Sequence, residues 1–225
     1  GRSRVTVLTI ARLTVREAAR RRLLLALLVL TTLVVAATGW GFSRIVTLSD
    51  RSGPLSELQV RLIASQLLIL VMFMFSFVLA LSAVFVAAPT VSGELESGIA
   101  LAVLARPVHR RDYLLGKWLG LAALVAGYAV FATVAELITV QVIVGYGPPE
   151  PVQVIAYLIA EGLVCLTLSL ALSTRLSGMV GGVIALVVFG IAWLGGIVGG
   201  MGAVFANDAI TQIGTVSRMI LPTDL

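Results

Sequence analysis

Long uncharged stretches alternate with short charged ones along the chain. Three stretches, 23–43, 62–93 and 176–206, contain no charged residue, and two others, 118–146 and 152–174, contain a single carboxylate each. About 20 apolar residues of helix cross the ~30 Å hydrocarbon core of a bilayer, so each stretch is long enough to span it. Continuous apolar runs also lack the alternation of membrane barrel strands. The pattern predicts an all-α, polytopic transmembrane helix bundle with five visible spans.

Composition agrees with this class and excludes others. Of the 225 residues, 59% are apolar and 12% are charged, about half of the ~25% charged residues of soluble domains. A soluble enzyme, a disordered chain and a nucleic-acid-binding protein are therefore excluded. One cysteine, Cys165, excludes a disulfide framework and a thiolate metal cluster. Residues 1–225 are predicted to form one transmembrane domain in the lipid bilayer.

The basic residues predict the orientation of the bundle. Twelve of the 16 Lys and Arg residues precede the first span, separate spans two and three, or separate spans four and five. Cytoplasmic loops of membrane proteins carry an excess of Lys and Arg, so the N-terminus is predicted to be cytoplasmic. The predicted location is the inner or plasma membrane. Five spans put the C-terminus outside, and we expect a sixth span after residue 225, with the sequence a piece of a longer chain.

Two charged segments outside the spans have distinctive patterns. In residues 4–21, Arg12, Arg16 and Arg20 recur every four residues, which predicts an amphipathic helix in the membrane interface; the alternative is a solvated basic tail. Residues 94–117 predict a cytoplasmic coupling ledge of two short helices. Its break lies at Arg106–Pro107, because the residue before proline avoids helical geometry, and the second helix is expected from Val108.

The length of this ledge favours a docking function. A simple turn needs about 2 to 8 residues, whereas the ledge takes more than twenty. Its mixed charges and apolar residues suit contact with a soluble protein, since charges set the register of an interface. The alternative is that the ledge only turns the chain around.

Catalytic and cofactor motifs are absent from the sequence. The Gly116–Lys117 pair lacks the earlier glycine of a phosphate loop, and Trp118 replaces its Ser or Thr. His109 is the only histidine and lies away from any acidic cluster. No catalytic residue, metal site or cofactor site is therefore predicted in this chain.

Glu136 and Glu161 are the two carboxylates inside predicted spans. A charge in the bilayer is costly and marks a functional site by default, and antiparallel helices would place both at similar depth. One interpretation is a polar lining for a substrate path or a proton-coupled site. The other is that each is protonated or bonded to polar residues on neighbouring turns, namely Thr133, Thr139, Gln141 or Thr167.

Glycines in the fifth span form pairs that allow close helix approach. They are Gly178/Gly182, Gly195/Gly199 and Gly196/Gly200. Such pairs predict helix contacts either within one subunit or between two copies.

Three motifs around the ledge carry a family resemblance. They are residues 92–98 (SGELESG), 104–110 (LARPVHR) and 113–120 (YLLGKWLG). Their order resembles that of permease subunits of type-two ABC exporters, the ABC-2 family. Within it, the chain also resembles permeases of nitrous-oxide-reductase maturation systems.

The resemblance implies a permease that forms a translocation path as a dimer, with six spans per copy. It implies separate ATPase subunits, which bind ATP and Mg²⁺, so that this chain itself has no cofactor. The ledge would contain a coupling helix that docks on the ATPase. The residues implied to contact the ATPase are Glu94, Glu96, Gly98, Arg106, Pro107, Arg110 and Arg175.

Two other functions are compatible with the sequence. One is a membrane-embedded enzyme that uses Glu136 and Glu161 as an acid/base pair, and the other is a non-transporting membrane scaffold. The sequence indicates no particular substrate.

Overall fold

The computed structural model describes residues 2–19, 22–52, 57–96, 98 and 109–204. The helices in these ranges are α1 Arg2–Ala19, α2 Arg22–Ser52, α3 Glu57–Glu96, α4 Arg110–Val144, α5 Pro151–Ser173 and α6 Gly178–Val204. The described residues contain no strand, which confirms the all-α prediction. The predicted coupling helix, with Arg106 and Pro107, lies outside the described residues.

Five of these helices are long and apolar enough to cross a membrane. The candidate spans are Leu24–Arg44, Leu58–Glu94, Arg110–Val144, Pro151–Ser173 and Gly178–Gly195. α3 has 40 residues and α4 has 35, or about 60 and 52 Å at 1.5 Å per residue. Both exceed the ~30 Å hydrocarbon core, so their charged ends extend beyond it.

Two helix boundaries differ from the predicted ones. α4 begins at Arg110 rather than at Val108, because His109 has extended backbone angles (φ −72°, ψ 139°) and caps the helix. The fifth span was predicted from residue 176, but α6 begins at Gly178. The preceding turn accounts for this, since the Leu176 N–H donates to the Leu172 carbonyl and closes the end of α5.

The connection between α4 and α5 is a tight turn with a defined cap. Gly145 has φ +69°, a left-handed conformation that glycine adopts without steric cost. Its N–H donates to the Gln141 carbonyl at 3.0 Å, which satisfies an end carbonyl of α4. Pro151 then opens α5, so the two helices run antiparallel.

α3 lies at the centre of the described bundle and packs against α4, α5 and α6. Its buried face carries small residues, including Ala80, Ala83 and Ala87, which let neighbouring helices come close. The Ser169 hydroxyl of α5 donates to the Val84 carbonyl of α3 at 3.2 Å. α2 packs mainly against α4 and is the least buried of the candidate spans.

The first glycine pair of α6 packs within the subunit. A Cβ at Gly178 would lie 2.7 Å from Ser92 Oγ, and one at Gly182 would lie 3.1 Å from Ala88 Cβ. Both neighbours belong to α3, so this pair confirms the intrasubunit alternative. The pairs Gly195/Gly199 and Gly196/Gly200 stay a prediction.

α1 packs on α4 at a second pair of small residues, which sequence reasoning missed. A Cβ at Gly116 would lie 2.7 Å from Ile10 Cβ, and one at Gly120 would lie 2.7 Å from the Ala11 carbonyl oxygen. A helix is therefore present over Arg2–Ala19, and its side with Ile10 and Ala11 contacts α4, whereas Leu8 and Leu13 are exposed. Its location in the membrane interface stays a prediction. Opposite that contact, Arg12 and Arg16 are exposed.

The close approach of α1 to α4 can be tested by adding one methyl group. We expect Gly120→Ala to destabilise the protein by about 1–3 kcal/mol, because the added Cβ overpacks a helix contact. Gly127→Ala is the matched control, since a Cβ at Gly127 meets nothing within 4 Å. Thermal unfolding in detergent measures both variants, and equal midpoints would contradict the close contact.

Candidate functional site

A group of charged side chains joins three helices at one end of the bundle. The Lys117 ammonium of α4 donates to Glu94 Oε1 at the end of α3, and the Tyr113 hydroxyl of α4 donates to Glu94 Oε2. Lys117 Nζ also lies 3.8 Å from Glu17 Oε2 of α1. We call these four residues the Lys117 cluster.

Helical spacing explains how α4 contributes two members of this cluster. Tyr113 and Lys117 are four residues apart, so their side chains share one face of the helix. The Lys117 ammonium also lies 5.9 Å from the centre of the Tyr113 ring, within the range of a cation–π contact. Both side chains therefore point toward Glu94 without distorting α4.

Burial makes the Lys117 cluster sensitive to the loss of Glu94. Lys117 is 6% exposed, and a buried charge is tolerated only when it is paired and hydrogen-bonded. Glu94 satisfies that condition, whereas the Glu17 side chain is 56% exposed and its contact with Lys117 contributes little to stability. The cluster therefore joins α3 to α4 through a partly buried ion pair, with α1 beside it.

The residues implied to contact an ATPase occupy different environments. Glu94 is engaged with Lys117 and Tyr113 inside the bundle, whereas Arg110 and Arg175 are exposed. Glu96 is the last residue of α3. Gly98 follows it with φ +74°, a conformation that favours glycine. The chain therefore changes direction directly after α3.

Glu136 lies in the membrane-spanning part of α4 and faces α2. Its side chain is 0% exposed, and its Oε2 lies 3.0 Å from the Thr38 hydroxyl of α2. The same hydroxyl is also within hydrogen-bond distance of the Val34 and Val35 carbonyl oxygens. Glu136 Oε1 and the nearby Thr133 Oγ1 have no hydrogen-bond partner among the described residues. This site therefore has two buried oxygen atoms available to a ligand.

Glu161 of α5 has its partner on another helix. The Ser76 hydroxyl of α3 donates to Glu161 Oε1 at 2.6 Å. The observed partners of both carboxylates therefore lie on other helices and not on neighbouring turns. Thr139 and Thr167 are engaged elsewhere, since Thr139 donates to the Ala135 carbonyl and Thr167 to the Leu163 carbonyl. The protonation of either carboxylate stays a prediction.

The two carboxylates lie at similar distances from the α4–α5 turn but face different helices. Glu136 is eight residues before the end of α4 and Glu161 ten residues after the start of α5, or about 12 and 15 Å along the helix axes. Thr38 of α2 binds the first and Ser76 of α3 the second. No described hydrogen bond connects the two carboxylates to each other, so the structure does not support an acid/base pair.

The described residues contain no group of three or more metal-ligating side chains. Cys165 is a buried free thiol one turn after Glu161. It therefore acts as a small packing residue in the bundle.

Comparison with known families agrees with this architecture. The family described as "ABC-2 family transporter protein" matches residues 8–224 of the chain. The chain belongs to the ABC-2 transporter family. No curated protein matches it.

Membership defines the general function of the chain. An ABC-2 permease is the membrane component of an ABC transporter, is not itself catalytic, and associates with an ABC ATPase. The chain is thus an integral, multi-pass permease subunit. The embedded-enzyme alternative loses its support, and similarity to nitrous-oxide-reductase maturation permeases stays a prediction.

Several partner residues of this ABC-2 permease escaped the sequence analysis. They are Glu17, Thr38, Ser76, Tyr113 and Lys117. The four-residue spacing of Tyr113 and Lys117 was the available signal for one cluster. No local pattern links Thr38 or Ser76 to a carboxylate 98 or 85 positions away, because only the packing of helices brings them together.

The Lys117 cluster can be tested by a double-mutant cycle. We expect Lys117→Met to destabilise the permease by on the order of 3 kcal/mol, because it leaves Glu94 without its cation. Glu94→Gln should lower the free energy of unfolding less in the Lys117→Met background than in the wild type. Thermal unfolding in detergent measures the cycle. Lys117→Arg, which keeps the charge, should lose less stability, and strictly additive effects would contradict the ion pair.

Proposed function

We propose that this permease works as a pair of copies in an ATP-driven exporter. Two separate ATPase subunits would bind ATP and Mg²⁺, and the chain itself would hold no cofactor. The observation that carries the proposal is the Lys117 cluster, because it joins Glu94, the first residue of the ledge, to α4 and, through Lys117, to α1. A force applied at the ledge would therefore reach α4 through the partly buried ion pair between Glu94 and Lys117.

The contacts suggest a route for that force. The ledge at 94–117 begins at Glu94, and Lys117 connects Glu94 to α4 and, through Glu17, to α1. α4 then meets α2 through two polar contacts inside the membrane. The Tyr128 hydroxyl lies 2.7 Å from Thr31 Oγ1, and Thr38 donates to Glu136 at 3.0 Å. Movement of the ledge would thus shift α1, α2 and α4 together.

This route makes gating a change of helix positions. Closure of the ATPase pair would move both ledges, and the helices of the two copies would separate to open a path between them. Such packed interfaces switch between discrete arrangements rather than deforming continuously. In this proposal Glu136 and Glu161 line the substrate path, and the chain performs no covalent chemistry.

Exposed basic residues support a cytoplasmic N-terminus and an ATPase contact at the same end. Arg110 starts α4 and Arg175 follows α5, and these helices run antiparallel, so both arginines lie at one end of the bundle. α1, with exposed Arg12 and Arg16, packs on the first turns of α4 at that end. Positive charge at this end fits the cytoplasmic side.

The ATPase contact can be tested by charge reversal. We expect Arg110→Glu combined with Arg175→Glu to reduce co-purification of the ATPase at least tenfold, with little change in permease stability, because both side chains are exposed. Arg61→Glu is the matched control, since Arg61 is exposed near the opposite end of α3. Undiminished co-purification would contradict the assignment of these arginines.

The orientation can be tested by labelling single cysteines. Cys165 is 1% exposed, so the unmodified chain should show almost no background labelling. We expect a membrane-impermeant maleimide added to intact cells to label Glu150→Cys, in the α4–α5 turn. It should label Arg175→Cys only after the membrane is opened. The reverse pattern would contradict a cytoplasmic N-terminus.

A further inference from the structure

The α2–α4 contact contains a buried site with unused hydrogen-bonding capacity. Glu136 and Thr133 are both 0% exposed and lie three residues apart, so they share one face of α4. The Thr38 hydroxyl lies within hydrogen-bond distance of Glu136 Oε2, at 3.0 Å. Glu136 Oε1 and Thr133 Oγ1 have no partner among the described residues. Leaving buried polar atoms unpaired costs free energy, which points to a ligand.

No basic side chain in the described part of the chain forms an ion pair with Glu136. Lys117 is the preceding basic residue of α4, nineteen positions before Glu136, or about 28 Å along the helix. It is engaged with Glu94 and Glu17. On α2, the Arg44 guanidinium lies 5.4 Å from the centre of the Trp40 ring, and no ion pair to Glu136 occurs in the described part of the chain.

The available atoms select the kind of ligand. Glu136 Oε1 and Thr133 Oγ1 both accept hydrogen bonds, and a primary ammonium brings three N–H donors with a positive charge. A divalent metal ion takes about six oxygen ligands, whereas the Glu136 carboxylate and the Thr133 hydroxyl together offer three, one of which already bonds Thr38. We infer that Glu136 and Thr133 bind the protonated primary amine of a transported molecule. This inference rests on the proposed transport function.

Access to this amine site requires α2 to move away from α4. The contact between these helices includes the Thr38–Glu136 hydrogen bond and Gly39, where a Cβ would lie 3.0 Å from Thr139 Cγ2. α2 is also the least buried candidate span. The route proposed for gating ends at this same contact, so ligand entry and helix movement would be linked.

The amine site can be tested on the full chain in detergent with three probes of equal tail length. Dodecylamine carries charge and N–H donors, dodecyltrimethylammonium carries charge alone, and dodecanol carries neither a charge nor an N–H group. Buried Cys165 reports unfolding through a fluorogenic maleimide. We expect only dodecylamine to raise the unfolding midpoint, by about 3–6 °C at tenfold excess over its dissociation constant.

Matched variants distinguish binding of dodecylamine at Glu136 from its general partitioning into the detergent micelle. The dodecylamine shift should disappear in Glu136→Gln and persist in Glu161→Gln, which alters the other buried carboxylate. Thr133→Val keeps the charge and shape of the site, and its shift should fall by at least half. Equal shifts in wild type and Glu136→Gln, or an equal effect of dodecyltrimethylammonium, would overturn the inference.

The binding assay is independent of the ATPase, so the two proposals can fail separately. If dodecylamine raises the unfolding midpoint through Glu136 but the permease transports nothing, the exporter proposal is contradicted and the amine site is still supported. ATP-driven transport by a permease without a Glu136-dependent shift would contradict the amine site alone.

Discussion

Helices in a lipid bilayer gain no hydrophobic driving force by associating, because lipid tails are as apolar as leucine. Close approach of small residues and buried polar contacts must therefore hold this bundle together. Gly116 and Gly120 bring α1 against α4, and Gly178 and Gly182 bring α6 against α3. At each contact a side chain as small as alanine would meet a neighbouring helix, so the arrangement depends on these glycines.

Polar contacts also join the helices, and those at the end of α3 differ in kind from those inside the spans. At the end of α3, the Lys117 cluster pairs the Lys117 ammonium with carboxylates. Inside the spans, hydroxyl groups meet carboxylates instead, as in the Ser76–Glu161 and Thr38–Glu136 hydrogen bonds. Glu136 differs from the members of the Lys117 cluster, because its Oε1 has no hydrogen-bond partner in the part of the chain that the structure describes.

Much of the fold was predictable because lipid imposes a simple rule. Apolar stretches of about 20 residues must be helices that satisfy their own backbone, so five spans and an all-α bundle followed from composition. The site was less predictable. Glu94 was assigned to the ATPase contact from its motif, but helix packing places it against Lys117 and Tyr113, and the ATPase contact of Glu94 stays a prediction.

The sequence by itself determined the class, the number of visible spans, the two intramembrane carboxylates and the motifs that identify an ABC-2 permease. These properties depend on local order and composition. Only the tertiary structure decided that Glu17 and Glu94 share Lys117, and that Glu136 faces Thr38 across 98 positions. These pairings depend on which helix faces pack against each other, and no local sequence pattern indicates that packing.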